Sequence, residues 1–335
     1  MDDFRVLGAE NYYNSLLREI PKAKKRIVIA SMALLWGERT APVFIMLQDA
    51  IKRGVKVTVL LDNYTRLTYF LDLQPPSSGK ERLRQTYRTL EDLSALGAKV
   101  YNFGKIGFPP QKGRCHLKIT VIDNSSYAFG GVNFLDESLT NADYMLANES
   151  PEIADRLAKL VERVCKNNPP LADSEVELSR DTRILFDGGR PKQSLIYERA
   201  SELTAQAKRV YFASQMVPSG QLAKLLQETK YTVYSNRPEQ MSSLAGIAQA
   251  FDQQKYRIDN AYTGVQYIHA KFMLFELPGG RKALLSGSHN FSHRGVSFGT
   301  QEIALHSTNP KLYEHLHNYL QKNIATPKPP AKNKK

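Results

Sequence analysis

Apolar positions along the chain fall into short β-branched runs separated by amphipathic stretches of helical period. Glu10–Lys25 carries Tyr13, Leu16, Leu17 and Ile20 at helical spacing, which predicts a helix that Pro21 ends or bends. Arg26–Leu34 is short and β-branched and predicts a buried strand. Ala41–Lys52 predicts a helix stopping at Gly54, and Val55–Asp62 a second strand. A charged helix over Glu81–Leu96 and a strand over Ala98–Phe103 follow. Next come a hairpin pairing Lys118–Ile122 with Tyr127–Phe129 and a helix over Pro151–Val164. Proline and glycine clusters at 71–79 and 104–113 predict loops. This strand–helix–strand rhythm predicts an α/β protein with helices on the faces of mixed or parallel sheets.

The pattern then repeats. Lys25-Arg26-Ile27-Val28-Ile29-Ala30-Ser31-Met32 matches Lys208-Arg209-Val210-Tyr211-Phe212-Ala213-Ser214-Gln215-Met216, with one residue inserted. Each run follows a helical stretch and precedes another, Gly220–Thr229 in the later copy. Each is then followed by a strand ending in asparagine, at Asn63 and Asn236. Self-similarity over this length indicates a duplicated unit rather than a short-period solenoid. The Lys166-Asn167-Asn168-Pro169-Pro170 punctuation predicts the boundary, giving halves 1–170 and 171–325.

Each unit closes on the same polar set. The first reads His116-x-Lys118-x4-Asp123, then Gly130-Gly131-x-Asn133; the second reads His269-x-Lys271-x4-Glu276, then Gly287-Ser288-x-Asn290. On a strand, residues i and i+2 share a face, so His116 and Lys118 point into one space while Leu117 and Ile119 point away. The chemistry suits a phosphodiester. An anionic ester resists anionic nucleophiles, whereas a neutral imidazole attacks without added charge. Lysines and asparagines supply donors to the non-bridging oxygens, and a second, protonated histidine donates to the leaving alkoxide.

Charge narrows the partners. The chain has 335 residues and a formal net charge of +13, which favours anionic partners: nucleic acid, anionic lipid headgroups or phosphorylated molecules. Two cysteines, Cys115 and Cys165, exclude a disulfide framework or a cysteine-based zinc site and predict a reducing compartment. No secretory leader and no apolar run of membrane-spanning length is visible, so a cytoplasmic protein, peripheral on a membrane if it meets one, is expected. The Pro- and Lys-rich tail, 326–335, predicts a disordered basic end.

The duplicated His-x-Lys-x4-Asp motif with Gly-Gly or Gly-Ser and Asn resembles the phospholipase D superfamily over roughly Ile27–Leu305. Within it, the spacing is most similar to bacterial cardiolipin synthase-type phosphatidyltransferases. That resemblance implies a bilobal α/β fold of two pseudo-twofold-related mixed β-sheets flanked by helices, with one active site between the halves. It implies phosphatidyl transfer or phospholipase D hydrolysis through a phosphohistidine, with His116 as nucleophile and His269 as general acid and then base, or the reverse. Lys118, Lys271, Asn133 and Asn290 are then expected to hold the phosphoryl oxygens. Asp143 and Glu302 are expected to orient the histidines, and Asp123, Glu276, Gly131 and Ser288 to support the site. No cofactor, no metal and no obligate oligomer are implied. Glu276 replaces the family's usual Asp, with a longer hairpin after it; the contact it makes in the fold is expected to survive the longer side chain.

Rival readings are a metal-independent nuclease and a non-catalytic anionic lipid or nucleic-acid binder, which the charge also suits. His289 and His293 suggest a zinc pair, but His289 lies in a turn with no carboxylate to complete a set; with Arg294 they are expected at the pocket mouth. Cys115 is expected to pack in the core, and Trp36 either in the core or beside the substrate.

Overall fold

A computed structural model describes residues 3–64, 66, 78–104, 113–167 and 170–326. The loops expected at 71–79 and 104–113 lie outside the described residues except at their ends, as do Asn168 and Pro169 of the junction and the basic tail beyond Thr326.

The described residues form two seven-stranded mixed sheets. The first comprises β1 (Arg5–Gly8), β2 (Arg26–Ser31), β3 (Lys56–Asp62), β4 (Lys99–Phe103), β5 (Ile119–Ile122), β6 (Ser125–Ala128) and β7 (Tyr144–Asn148), in the order β1-β7-β6-β5-β2-β3-β4. The second comprises β8 (Ser174–Ser179), β9 (Thr182–Gly188), β10 (Arg209–Ser214), β11 (Lys230–Ser235), β12 (Phe272–Glu276), β13 (Lys282–Gly287) and β14 (Gln301–Ser307), in the order β11-β10-β12-β13-β14-β9-β8. Pairing is parallel between β2 and β3 and between β10 and β11, and antiparallel from β2 to β5 and β10 to β12 onward. β2, β3, β5, β6 and β7 thus have counterparts in β10, β11, β12, β13 and β14. The parallel strand β4 on the edge of β3 is reduced, beside β11, to one parallel bridge between Val233 and Asn260.

Side-chain alternation puts one face of each sheet into a shared core. Val28, Ala30, Leu117, Ile119 and Leu146 meet Ala213, Phe272, Leu274, Ile303 and Leu305 in one buried cluster. Helices Pro151–Lys166 and Pro310–Leu320 add Leu157, Val161, Leu316 and Leu320 to it. The opposite faces are covered separately. Ile27, Ile29 and Val59 pack under α1 (Ala9–Glu19) and α2 (Ala41–Lys52). Phe212, Met273 and Phe275 pack with Ile196 and Leu222, which belong to helices Leu195–Gln206 and Gln221–Gln227. The first helix ends at Glu19 and Pro21 sits in a 3-10 turn, Ile20–Lys22, as its missing N–H requires. Trp36 stacks on Phe44 at 5.5 Å within the outer core of the first half, and Cys115 is buried, so both are packing residues.

The supporting acids of the two motifs behave differently. Asp123 turns the β5–β6 hairpin at φ 50 and its carboxylate accepts from the amides of Lys24, Lys25 and Arg26 at 2.8, 2.8 and 3.0 Å, tying the hairpin to the start of β2. The equivalent contact expected of Glu276 is not formed. Glu276 still lies within β12, opposite Arg209, and its half-exposed carboxylate sits 3.9 Å from Arg209 Nε. The longer hairpin moves the turn past Glu276, so the acid no longer faces amides it can cap. Asp123→Ala is expected to cost about 1–2 kcal/mol in denaturant unfolding, from three partly exposed charge-assisted hydrogen bonds, and Glu276→Ala under about 0.5 kcal/mol.

Candidate active site

The His/Lys pairs sit just before the central strands β5 and β12, not within their ladders. The reason is a change of backbone partner. The His116 amide donates to Gln301 O at 2.9 Å and the Gln301 amide to Arg114 O at 2.8 Å, so this segment pairs with the other half's β14. Symmetrically, the amides of His269 and Ala270 donate to Ala142 O at 3.1 and 3.0 Å, and the Ala142 amide to Tyr267 O at 2.8 Å. Each motif is therefore stitched to the segment of the opposite half that carries an acid, Glu302 in β14 and Asp143 just before β7.

The consequence is a crossed pairing. His116 Nδ1 lies 2.9 Å from both carboxylate oxygens of Glu302, and His269 Nδ1 lies 2.9 Å from Asp143 Oδ2. A carboxylate accepts, so each Nδ1 carries the proton and each Nε2 presents its lone pair. The acids are themselves fixed. Ser288 Oγ donates to Glu302 Oε2 at 2.5 Å, and the amides of Gly131 and Tyr144 donate to Asp143 Oδ1 at 3.1 and 2.8 Å. A Cβ at Gly131 would stand 2.2 Å from His269 O and 2.6 Å from Asp143 Oδ1, so only glycine permits this approach. Lys118 Nζ donates to His116 O at 3.0 Å and Lys271 Nζ to His269 O at 2.6 Å, which curls each ammonium back beside its histidine. Asn133 and Asn290 are held against Ser31 Oγ and Ser214 Oγ, at 3.4 and 3.5 Å from their Oδ1 atoms.

Burial sets the electrostatics. His116, Lys118, Asp143, His269, Lys271 and Glu302 are all at most 9% exposed. Burial, reinforced by the charges of Lys118 and Lys271, holds His116 well below the ordinary imidazole value. Burial brings His269 down to about 4, with Lys271 acting in the same sense and Asp143 opposing it. Burial likewise lowers the ammonium of Lys118 to about 8, opposed most by Glu302, and that of Lys271 to about 7, opposed most by Asp143. Burial raises Glu302. At neutral pH the free site thus holds two neutral imidazoles, each with an open nitrogen, beside a cationic Lys118 and a Lys271 near the midpoint of its titration.

Two bracing residues escape a reading of the motif alone. Asp62, at the end of β3, accepts from the Cys115 amide at 2.6 Å and pairs with Arg114 Nη1 at 3.0 Å. Asn236, just past β11, accepts from the Ile268 amide at 2.7 Å and donates to Ile268 O at 2.8 Å. Each fixes the residue before a catalytic-type histidine. The repeat carries their signal, since both follow aligned strands, but Asp62, not Asn63, is the counterpart of Asn236. Of the residues expected at the mouth, His289 is buried and accepts from the Phe291 amide at 2.8 Å, His293 begins a short helix, and Arg294 pairs with Asp252 at 2.9 Å.

Duplicated half-sites facing each other across two related sheets are the arrangement that the resemblance to the phospholipase D superfamily implies. Residues 16–165 match the family described as cardiolipin synthase, PLD-like domain. Cardiolipin synthase B of Salmonella typhi and that of Salmonella typhimurium are each 25% identical to the chain over 168 residues, which is 48% of this chain and 38% of the relative. The matched region therefore spans well under half the length of these curated relatives. The fold is shared with phosphatidylserine synthase of Haemophilus influenzae, at a TM-score of 0.69 and 14% identity over 96% of this chain and 87% of that one. It is shared also with polyphosphate kinase of Porphyromonas gingivalis, at 0.60 and 11% over 95% of this chain and 50% of that one.

The lowered lysine values set an alkaline limit. A base with a lowered pKa loses its charge as pH rises through that value, so kcat/KM is expected to fall above about pH 7–8 as Lys271 and then Lys118 deprotonate. The acid limb should lie well below the ordinary imidazole range, where His116, the expected nucleophile, gains a proton. Nitrogen-15 chemical shifts of His116 followed across pH in the unliganded protein check the acid limb directly.

Proposed function

We propose that the chain transfers the phosphatidyl group of an anionic phospholipid, or hydrolyses it, through a phosphohistidine. The observation that carries this reading is the crossed pairing of His116 with Glu302 and of His269 with Asp143. It leaves two imidazole nitrogens free in one buried, cationic site, as a double displacement at phosphorus requires. The cardiolipin synthase family match and the cardiolipin synthase B relatives point the substrate class toward phospholipid.

In the first step His116 Nε2 attacks phosphorus and a P–N bond forms. The P–O bond to the leaving alcohol breaks, and its electron pair takes the proton that His269 Nε2 carries. His269 is protonated for this step because the bound phosphodiester anion offsets the burial that lowers its pKa in the free site. Glu302 and Asp143 stabilise the two imidazoliums as they form, without taking their protons. In the second step His269 Nε2 removes the proton of the incoming alcohol or water, whose oxygen attacks phosphorus. The P–N pair returns to His116. Lys118, Lys271, Asn133 and Asn290 neutralise the non-bridging oxygens, with Asp123, Gly131 and Ser288 supporting the geometry.

Phosphatidylglycerol, with and without a second alcohol, and single-stranded and duplex DNA are the substrates to compare, in chelator. Turnover of the lipid but not of DNA is expected, with His116→Ala and His269→Ala each losing at least about 10³-fold in kcat. DNA cleavage without lipid turnover would make the chain a nuclease of the same chemistry. A denaturing quench at alkaline pH, where the P–N bond survives, should yield a phosphorylated histidine at His116, and its appearance at His269 would exchange the two roles. Asp143→Asn should lower kcat by a comparable factor with KM little changed, because it disturbs the tautomer of His269 and not the grip on phosphate.

A further inference from the structure

The helix Ser243–Tyr256, labelled α7 in chain order, is built inside out. Its polar residues Gln249 and Asp252 are buried, at 0% and 6% exposure, while Leu244, Ile247 and Phe251 are 77%, 68% and 58% exposed. Positions 244, 247 and 251 are spaced i, i+3, i+7 and share one face. Val265, 64% exposed, lies on the segment that Gln240, in the turn ahead of the helix, holds by donating from Nε2 to Val265 O at 3.2 Å. Three of the six exposed large hydrophobic side chains among the described residues lie on this one helix face. Such a face is ordinarily turned into a core, and a cluster of this kind marks a contact surface.

The buried polar face shows where the helix is anchored. Gln249 Oε1 accepts from the Val217 amide at 3.0 Å, just after β10, and its Nε2 donates to Asn236 O at 2.8 Å, just after β11. Asn236 in turn grips Ile268, the neighbour of His269. Asp252 binds Arg294, four residues past Asn290. The polar face thus clamps the rim of the site, and the apolar face looks outward from that rim. Lys255 Nζ lies 5.7 Å from the Phe251 ring centroid and 5.2 Å from that of Tyr256, placing a cation beside the apolar stripe. Apolar side chains with a flanking lysine, on a chain of net charge +13, match an anionic bilayer surface: acyl chains meet the stripe, and headgroup phosphates meet the cations.

We propose that α7, with Val265, seats the chain on an anionic phospholipid bilayer and brings the active-site mouth to the lipid surface. The inference rests on the phospholipid reading of the site. A second copy of the chain or another protein is the competing occupant.

The test uses the full chain and the triple variant Leu244→Ser/Ile247→Ser/Phe251→Ser. All three side chains are exposed, so its thermal unfolding should match the wild type. Co-sedimentation is measured with vesicles of phosphatidylglycerol and phosphatidylcholine and with phosphatidylcholine alone. The wild type should bind the anionic vesicles, and the variant at least tenfold more weakly. Turnover of vesicle lipid should fall by a similar factor, while turnover of a short-chain, monomeric phosphatidylglycerol stays unchanged. Undiminished vesicle binding by the variant would overturn the proposal. So would a wild-type dimer that the variant converts to monomer while both bind vesicles equally, which would assign the stripe to contact between copies. Vesicle binding is read without catalysis. Failure of short-chain turnover by the wild type would therefore defeat the phospholipid reading, while the binding comparison still decides the role of α7.

Discussion

The structure depends on four ionisable side chains buried between two related sheets. Lys118, Lys271, Asp143 and Glu302 are each at most 4% exposed. An isolated ion in such a place costs several kcal/mol, and removing one partner of a buried pair typically costs about 3–5 kcal/mol. The cost is offset because each half supplies a histidine and a lysine to one wall and a carboxylate to the opposite one. Neither half alone can satisfy its own motif. The shared apolar core and the backbone bridges Cys115–Gln301 and Ala142–Ile268 hold the halves at the separation that this exchange requires.

The halves have diverged around that constraint. Glu302 reaches its histidine with a long side chain and leans on the Ser288 hydroxyl, while Asp143 uses a shorter one and leans on the Gly131 amide. The side-chain length and the turn residue compensate one another, since a hydroxyl at 131 has no room against His269 O. Asp62 braces the first histidine through a buried ion pair with Arg114, whereas neutral Asn236 braces the second. The two imidazoles therefore sit in similar geometry within different fields. That difference gives a physical basis for assigning them unequal tasks in a two-step displacement.

The inverted helix shows how surface and site are connected. Gln249 is buried because it is the only polar link among the described residues from α7 to both strand ends beside His269. Turning that face inward forces Leu244, Ile247 and Phe251 outward. In an ordinary soluble surface this orientation has no compensation; against a bilayer it has one.

Much of the site was legible in the sequence because its residues recur at fixed short spacings. Duplication singled out His116 and Lys118, His269 and Lys271 and the two asparagines, whereas the acids Asp143 and Glu302 were expected only from the family resemblance. Periodicity located the central strands to within three residues at each end, because burial on a sheet face imposes it. What tertiary structure alone decided is the partnership. His116 meets Glu302 across 186 residues and His269 meets Asp143 across 126, and local spacing carries no information about contacts at that range. The loss of the Glu276 contact, the bracing roles of Asp62 and Asn236 and the outward face of α7 were equally closed to the sequence. Each depends on which backbone groups arrive beside a side chain once the sheets have packed. Residue types set what chemistry was available; the packing of one half on the other set where it could occur.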